Sequence, residues 1–206
     1  MTTAEVNQQL SSLPGYTLCE YQLVLQPHEE LRNKINKVRG EFAEKYKIPG
    51  SPNGAIHISL ARFTQLQMME DRLCNRFRMI AMAMPAFKVA LNGFASFPTH
   101  TLYINVESKA AVQMVTKQLK TAQRLMKTAE HKPHFIDDPF IPVALKLLPW
   151  QYEQGWLEYS HRQFSGRFIA KSMQLLRRFQ GGKAYQPIKH FEFLNMPVVT
   201  MQGQLF

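Results

Sequence analysis

Segments with strand character and segments with helix character alternate along this chain, and their order repeats. Apolar residues at every second position mark the strands, and apolar residues three or four positions apart mark the helices. The order after Phe87 resembles the order before it, which indicates one α/β module written twice. A helical turn or an ordered loop is expected at residues 150–160. We predict strands at residues 16–25, 55–61, 87–91, 101–106, 139–147, 167–178 and 186–194, and helices at residues 28–46, 69–84 and 109–128.

The length and composition favour one packed unit. The chain has 206 residues, of which 45% are hydrophobic and 19% charged, and no shift in composition marks a linker. We therefore predict a single α+β domain over residues 1–206, with two intertwined lobes and a pseudo-duplication at about residue 87. Cys19 and Cys74 match no metal-ligand spacing, so buried free thiols are expected.

The chain carries no pattern typical of membrane insertion or export. The longest apolar run, residues 80–84, is too short to cross a bilayer. The first five residues lack the basic flank and apolar block of a signal peptide. We therefore expect a cytoplasmic protein that makes no membrane contact.

Basic residues outnumber acidic ones. The 25 lysines and arginines against 15 aspartates and glutamates give a formal net charge of +10 at pH 7. A surface of this charge attracts polyanions and speeds their encounter with the protein. The charge favours a nucleic-acid or nucleotide ligand, although basic residues spread evenly for solubility would give the same total.

Residues 56–61 carry the pattern that most directly indicates chemistry. On a strand, side chains alternate between two faces. His57, Ser59 and Ala61 are thus expected to point one way, and the isoleucines and leucine between them the other way. An imidazole can move protons near neutral pH, and a hydroxyl can donate a hydrogen bond to a phosphate oxygen. A lone His-x-Ser pair is, however, more often a polar strand face than a catalytic pair.

Residues 57–63 resemble the first His-x-Thr/Ser motif of the two-histidine (2H) phosphoesterases, the superfamily that includes 2′-5′ RNA ligase-like proteins. Residues 168–178 and 185–193 resemble the strands that close the fold in those proteins. The resemblance implies antiparallel sheets around a central cleft. It also implies action on 2′,3′-cyclic or 2′-5′ phosphodiester ends of RNA or nucleotides, without a metal or other cofactor. His57 would be the acid or base, Ser59 would hold the phosphate, and we expect a monomer.

The second motif of that family is degenerate in this chain. Residues 139–146 fit its frame, but the two functional positions are Phe140 and Pro142. Phe140, which follows His57 by 83 residues, cannot transfer a proton, and Pro142 offers neither a hydroxyl nor a backbone N–H. Loss of one positioned acid or base typically lowers a rate by about 10²- to 10⁴-fold. The two-histidine reaction therefore cannot be carried over intact.

In two interpretations of the degenerate second motif, the cleft still binds a phosphate. A nearby histidine, His131 or His134, can substitute for the missing one, with Lys146 supplying positive charge; alternatively both are exposed loop histidines. In the second interpretation the cleft binds RNA or a nucleotide without cutting it. Arg62 would then contact the phosphate, and Phe140 would act as a stacking platform unless it packs in the core.

A metal site is the third interpretation. Its ligands would be His131, His134, Asp137 and Asp138, which are suitable residue types. Their loop-like context around Pro133 gives no regular spacing that would bring them together. We therefore predict no metal.

Overall fold

The computed structural model describes residues 15–48 and 54–196. The first residues, on which the absence of an export signal was judged, lie outside the described residues. The strands are β1 Leu18–Leu25, β2 Ile58–Leu66, β3 Phe87–Phe97, β4 Thr101–Val106, β5 His134–Phe135, β6 Phe140–Leu145, β7 Ser165–Ala170, β8 Ser172–Phe179 and β9 Gln186–Glu192. The helices are α1 Glu29–Lys45, α2 Glu70–Met82, α3 Lys109–Lys120, α4 Gln123–Met126 and α5 Pro149–Tyr159, with a 3₁₀ turn at Gln67–Met69 before α2.

The strands form two antiparallel sheets. The first sheet has the order β5-β2-β1-β8-β9, and the second has the order β6-β4-β3-β7. All strands of the second sheet lie after residue 86, while β5, β8 and β9 also come from the second half of the chain but join the first sheet. The expected α+β class with two antiparallel sheets is confirmed.

The helices cover the sheets with apolar faces that the sequence pattern predicts. Leu31, Ile35, Val38 and Phe42 recur at helical spacing along α1, and all four are buried. Helix α1 packs against β6 and β7 of the second sheet, although it follows β1 of the first sheet. The two halves therefore share one hydrophobic core cluster.

Helix α5 packs closely on α1 through a glycine. A Cβ at Gly155 would lie 2.7 Å from two ring carbons of Phe42, whereas nothing lies within 4 Å of a Cβ at Gly40 on α1. The Phe42 ring also meets the edge of Tyr159, with the ring centroids 5.1 Å apart. The absence of a side chain at residue 155 thus sets the distance between the two helices.

Several elements differ from the sequence prediction: strand β5 was not predicted, and β2 and β3 extend beyond the predicted strands. Residues 167–178 form two strands in different sheets, because the chain changes sheet at Lys171. Helix α5 is longer than the helical turn or ordered loop expected there; Pro149 occupies its first turn, and the Gln151 side chain accepts a hydrogen bond from the Leu148 amide at 2.9 Å. The helix expected at residues 109–128 is interrupted after Lys120.

Each sheet contains a bulge. In the first sheet it lies next to Ser59 of the His-x-Ser motif, and in the second sheet it lies next to Pro142, the equivalent position of the second motif. In the first sheet Val24 is opposite Ser59 and Leu23 is opposite Ala61, so Leu60 is the extra residue. In the second sheet Tyr103 is opposite Pro142 and Leu102 is opposite Ala144, so Val143 is the extra residue. The two bulges are thus 83 residues apart, the same separation as His57 and Phe140.

The expectations for cysteine are largely met. Cys19 and Cys74 are free thiols, the first buried and the second half-buried. Across the described part of the chain, every helix is too short or too polar to cross a membrane.

Candidate active site

A cavity of about 560 Å³ lies between β2 and β6, and we call it the histidine cleft. His57, Ser59 and Arg62 line one wall, and Phe140 and Pro142 line the facing wall. The two motif segments, which are far apart in sequence, therefore meet across one space. This agrees with the alignment of residues 139–146 to the family's second motif, which put Phe140 and Pro142 at its functional positions.

The bulge at Leu60 decides which side chain follows Ser59 into the histidine cleft. Regular alternation placed Ala61 on the side of His57, and this prediction is wrong. Ala61 is fully buried in the hydrophobic core cluster, and Arg62 lines the cleft instead. The extra residue in the strand reverses the alternation beyond it, so a guanidinium joins the imidazole and the hydroxyl.

Gln22 lies on the neighbouring strand β1 and connects the two motif side chains. Its Nε2 donates to the Ser59 hydroxyl at 2.6 Å and lies 3.2 Å from His57 Nε2. Gln22 is 4% exposed, so these contacts form in a site largely closed to water. Because the Ser59 oxygen accepts from Gln22, the serine proton is available for a phosphate oxygen.

Gln22 was missed by sequence reasoning. The signal was a lone amide in the strand segment Leu18–Leu25, which is otherwise mostly apolar or buried. A buried polar side chain needs a hydrogen-bond partner, and that requirement points to a second polar group nearby.

The surroundings of His57 favour its neutral form. Burial lowers the pKa of His57 to about 4, and the nearby positive charges of Arg62 and Arg39 act in the same direction. Within the described residues, the buried Nδ1 atom has no hydrogen-bond partner. At neutral pH the ring is thus an unprotonated base whose Nε2 atom accepts from Gln22.

Arg39 of α1 links the second motif to the segment just before the first motif. Its Nε donates to the carbonyl of Pro142, and one terminal nitrogen donates to the carbonyl of Gly54, both at 2.8 Å. The side chain is buried, and burial lowers the pKa of Arg39 to about 10. Arg39 also lines the histidine cleft, so it places positive charge where a phosphate would bind.

The facing wall is aromatic. Phe140 packs against Phe97 and Tyr103, with ring centroids 5.2 Å and 5.0 Å apart. Phe140 is half-buried and lines the histidine cleft, and it lies outside the hydrophobic core cluster. This wall can offer stacking and apolar contact but no proton transfer by Phe140 or Pro142.

Of the two candidate substitutes for the second histidine, His134 lines the histidine cleft and His131 does not. His134 lies on β5 opposite Arg62 and lines the histidine cleft. His131 lines a neighbouring cavity with Lys132. Lys146 is exposed, has a positive φ of 55°, and is absent from the cleft lining.

The proposed metal ligands have other partners. Asp137 pairs with Lys120 at 3.0 Å, and Asp138 pairs with Lys109 at 2.6 Å. No cluster of three or more His, Cys, Asp or Glu suited to a metal occurs within residues 15–48 and 54–196. His131 and His134 line different cavities, so the four residues do not converge.

Together the fold and the site define an α+β protein with two antiparallel sheets and a His-x-Ser motif in the cleft between β2 and β6. The family model described as "2′-5′ RNA ligase superfamily" matches residues 27–182, more than half of the chain. The chain therefore belongs to the 2′-5′ RNA ligase superfamily, and the expected 2H phosphoesterase relationship is confirmed.

Solved structures share this fold at low sequence identity. E. coli LigT complexed with 3′-AMP is 11% identical with a TM-score of 0.57, covering 86% of this chain and 98% of LigT. LigT in apo form is 13% identical with a TM-score of 0.58, covering 85% and 98%. TT0787 of Thermus thermophilus is 13% identical with a TM-score of 0.57, also covering 85% and 98%. These similarities concern the fold alone, and a sequence search of curated proteins finds no match.

Proposed function

We propose that this protein binds a phosphodiester or cyclic phosphate end of RNA or of a nucleotide in the histidine cleft, with weak turnover at most. The observation that carries the proposal is the pairing of His57 and Ser59, held by Gln22, with a facing wall of Phe140 and Pro142. Ser59 would donate to a phosphate oxygen, and Arg62 and Arg39 would supply charge. The ligands in solved LigT structures, 3′-AMP, ATP, NADP+ and phosphate, agree with this ligand class.

The reaction chemistry explains why turnover is expected to be weak. In hydrolysis of a 2′,3′-cyclic phosphate, a base takes a proton from the attacking water while an acid protonates the departing ribose oxygen. Neutral His57 can be the base through Nε2 once the attacking water displaces the Gln22 amide from that atom, because Nδ1 is buried. The position that faces it carries Phe140, so the departing oxygen would have to take its proton from solvent. The cost is about 10²- to 10⁴-fold in rate.

The second candidate is a cyclic phosphodiesterase or 2′-5′ RNA ligase-like enzyme with a substitute acid. The observation that favours it is the position of His134 in the lining of the histidine cleft. In that case His57 and His134 would act as the base and acid pair, and both would be needed for turnover.

One assay separates the two candidates. Hydrolysis of adenosine 2′,3′-cyclic phosphate is measured for wild type, His57→Ala, His134→Ala and the double variant Phe140→His with Pro142→Thr. We expect wild type and His57→Ala to be equally inactive and the double variant to gain activity. Turnover by wild type that both histidine substitutions abolish would instead establish the enzyme.

Binding is measured separately by calorimetry with the same cyclic nucleotide. Ser59→Ala removes the hydroxyl, and we expect it to weaken binding by about 10-fold or more, since a hydrogen bond to a charged group is worth about 1.5–3 kcal/mol. Wild-type protein that does not bind the nucleotide would refute the proposal. The expected cytoplasmic location and monomeric state stay predictions.

A further inference from the structure

A second cavity of about 560 Å³ adjoins the histidine cleft, and we call it the tyrosine pocket. His57 and Gly54 line both cavities, so a ligand held at His57 can extend from one into the other. Gln174 and Tyr185 line the tyrosine pocket but not the histidine cleft. Neither residue takes part in the chemistry proposed for the histidine cleft.

The ring of Tyr185 is held in place from one side. Its hydroxyl donates to the Glu20 carboxylate at 3.1 Å, and the Arg178 guanidinium, which also pairs with Glu20, lies 4.6 Å from the ring centroid. Arg178 lines a third cavity and is absent from the lining of the tyrosine pocket. Tyr185 lines both cavities, so we infer that the guanidinium covers the ring on the side of the third cavity and leaves the side toward the tyrosine pocket available to a ligand.

The Gln174 side-chain amide lines the tyrosine pocket and lies on the same face of the first sheet as Ser59. Val24 is opposite Ser59 on one side and opposite Gln174 on the other, so the three side chains share a face. Two strand spacings separate Ser59 from Gln174, about 10 Å. That distance is comparable to the reach from a phosphate across a ribose to its base. Gln174 is 7% exposed, and its Nε2 lies 2.9 Å from His190 Nε2.

We propose that the tyrosine pocket binds the nucleobase of the nucleotide whose phosphate lies at Ser59, with the base stacked on Tyr185 and its edge hydrogen-bonded by Gln174. Stacking on an aromatic ring that other groups already hold in place costs little ordering entropy and tolerates every base. A side-chain amide offers both a donor and an acceptor to a base edge. This assignment rests on the proposed function, because it requires a phosphate at Ser59.

The test compares a ligand with a base and a ligand without one. Affinities for adenosine 2′,3′-cyclic phosphate and for inorganic phosphate are measured on wild type, Tyr185→Ala and Tyr185→Phe. We expect Tyr185→Ala to weaken nucleotide binding by about 5- to 150-fold, the range for loss of one stacked base, and to change phosphate binding by less than about twofold. Tyr185→Phe keeps the ring, so its nucleotide affinity should stay within about threefold of wild type.

Phe179→Ala is the matched control. Phe179 is an exposed aromatic residue on the same hairpin, it carries Arg177 4.8 Å from its ring centroid, and it lies outside the lining of the tyrosine pocket. Its loss should leave both affinities unchanged. A second readout is direct: the adenine protons should shift upfield in NMR spectra of the wild-type and Tyr185→Phe complexes, and not in the Tyr185→Ala complex.

The outcomes separate this inference from the function on which it rests. Equal losses of nucleotide and phosphate binding in Tyr185→Ala would mean that the ring has a structural role, and would overturn the base site. Unchanged nucleotide binding would overturn it as well, while binding that still depends on Ser59 would leave the proposed function intact. Wild-type protein that binds neither ligand would refute both.

Discussion

The Gln22 side-chain amide donates to the Ser59 hydroxyl at 2.6 Å, across two adjacent strands. The same amide nitrogen lies 3.2 Å from His57 Nε2. One buried glutamine therefore fixes the directions of both side chains that the first motif contributes to the cleft. The site is organised by a residue outside the motif that identified it.

We expect Gln22→Leu to weaken binding of adenosine 2′,3′-cyclic phosphate by about 2- to 10-fold, because a positioned hydrogen bond is worth about 0.5–1.5 kcal/mol. Calorimetry gives the affinity. Gln65→Leu is the comparison, since Gln65 is also buried, on β2, but donates to the carbonyls of Leu125 and Lys127. It should lower stability without changing affinity. Equal affinities of Gln22→Leu and wild type would contradict the role given to Gln22.

The pKa of His57 has a measurable consequence for stability. The folded-state pKa is about 4, below the ordinary value of 6.5, so the unfolded chain binds a proton at His57 that the folded chain excludes. Stability from this residue is therefore complete above about pH 6.5 and is lost as the pH falls toward 4. The total loss is about 3 kcal/mol. Urea unfolding of wild type and His57→Gln between pH 7 and pH 4 should show the difference, and an NMR titration should give the pKa directly.

Carboxylates also titrate in this pH range, and for that reason the wild-type curve alone is not diagnostic. The informative quantity is the gap between wild type and His57→Gln at each pH. A gap that stays constant from pH 7 to pH 4 would mean that His57 titrates normally.

Arg39→Met should destabilise the fold by about 3 kcal/mol, because it removes two hydrogen bonds that the buried, charged guanidinium donates to the carbonyls of Pro142 and Gly54. It should also raise the pKa of His57, since the Arg39 charge helps to lower it. Lys37→Met, an exposed change on the same helix, should alter neither quantity appreciably. Chemical denaturation and NMR titration test the two effects independently. A normal free energy of unfolding in Arg39→Met would exclude the joining role.

Two glycine-to-alanine changes should have opposite signs. Gly40→Ala should stabilise the protein by about 1 kcal/mol, because its Cβ meets open space on a helix. Gly155→Ala offers the same gain in helix propensity, but its Cβ would lie 2.7 Å from the Phe42 ring, and overpacking costs about 1–3 kcal/mol. Thermal unfolding of both variants decides the matter. Stabilisation by Gly155→Ala would show that the Phe42 ring moves aside easily.

Local patterns in the sequence placed the first motif, and the resemblance to the 2H phosphoesterases placed the second. Period-two alternation put His57 and Ser59 together, and the frame of the family motif identified Phe140 and Pro142 as the positions opposite them. Helix α1 followed from its apolar spacing in the same way. These features depend on residues close together in the chain, which a single sequence displays.

The errors concern features set by distant partners. Ala61 was assigned to the wrong face because β1 pairs with β2 out of step at Leu60, and the pairing register cannot be read from β2 alone. The division of residues 167–178 between two sheets likewise depends on which strands lie beside each end. Gln22 was passed over because its partners are 35 and 37 residues away.

Because of the bulge at Val143, the main chain of the second motif already directs side chains into the cleft, and the chemistry there depends only on which side chains it carries. The backbone irregularity that presents Ser59 and Arg62 in one sheet has its counterpart in the other, where it presents Pro142 and Leu145 to the same space. New functional groups introduced at residues 140, 142 and 145 would thus enter the cleft without any rebuilding of the main chain. The scaffold is ready for a second catalytic half that its present residues do not supply.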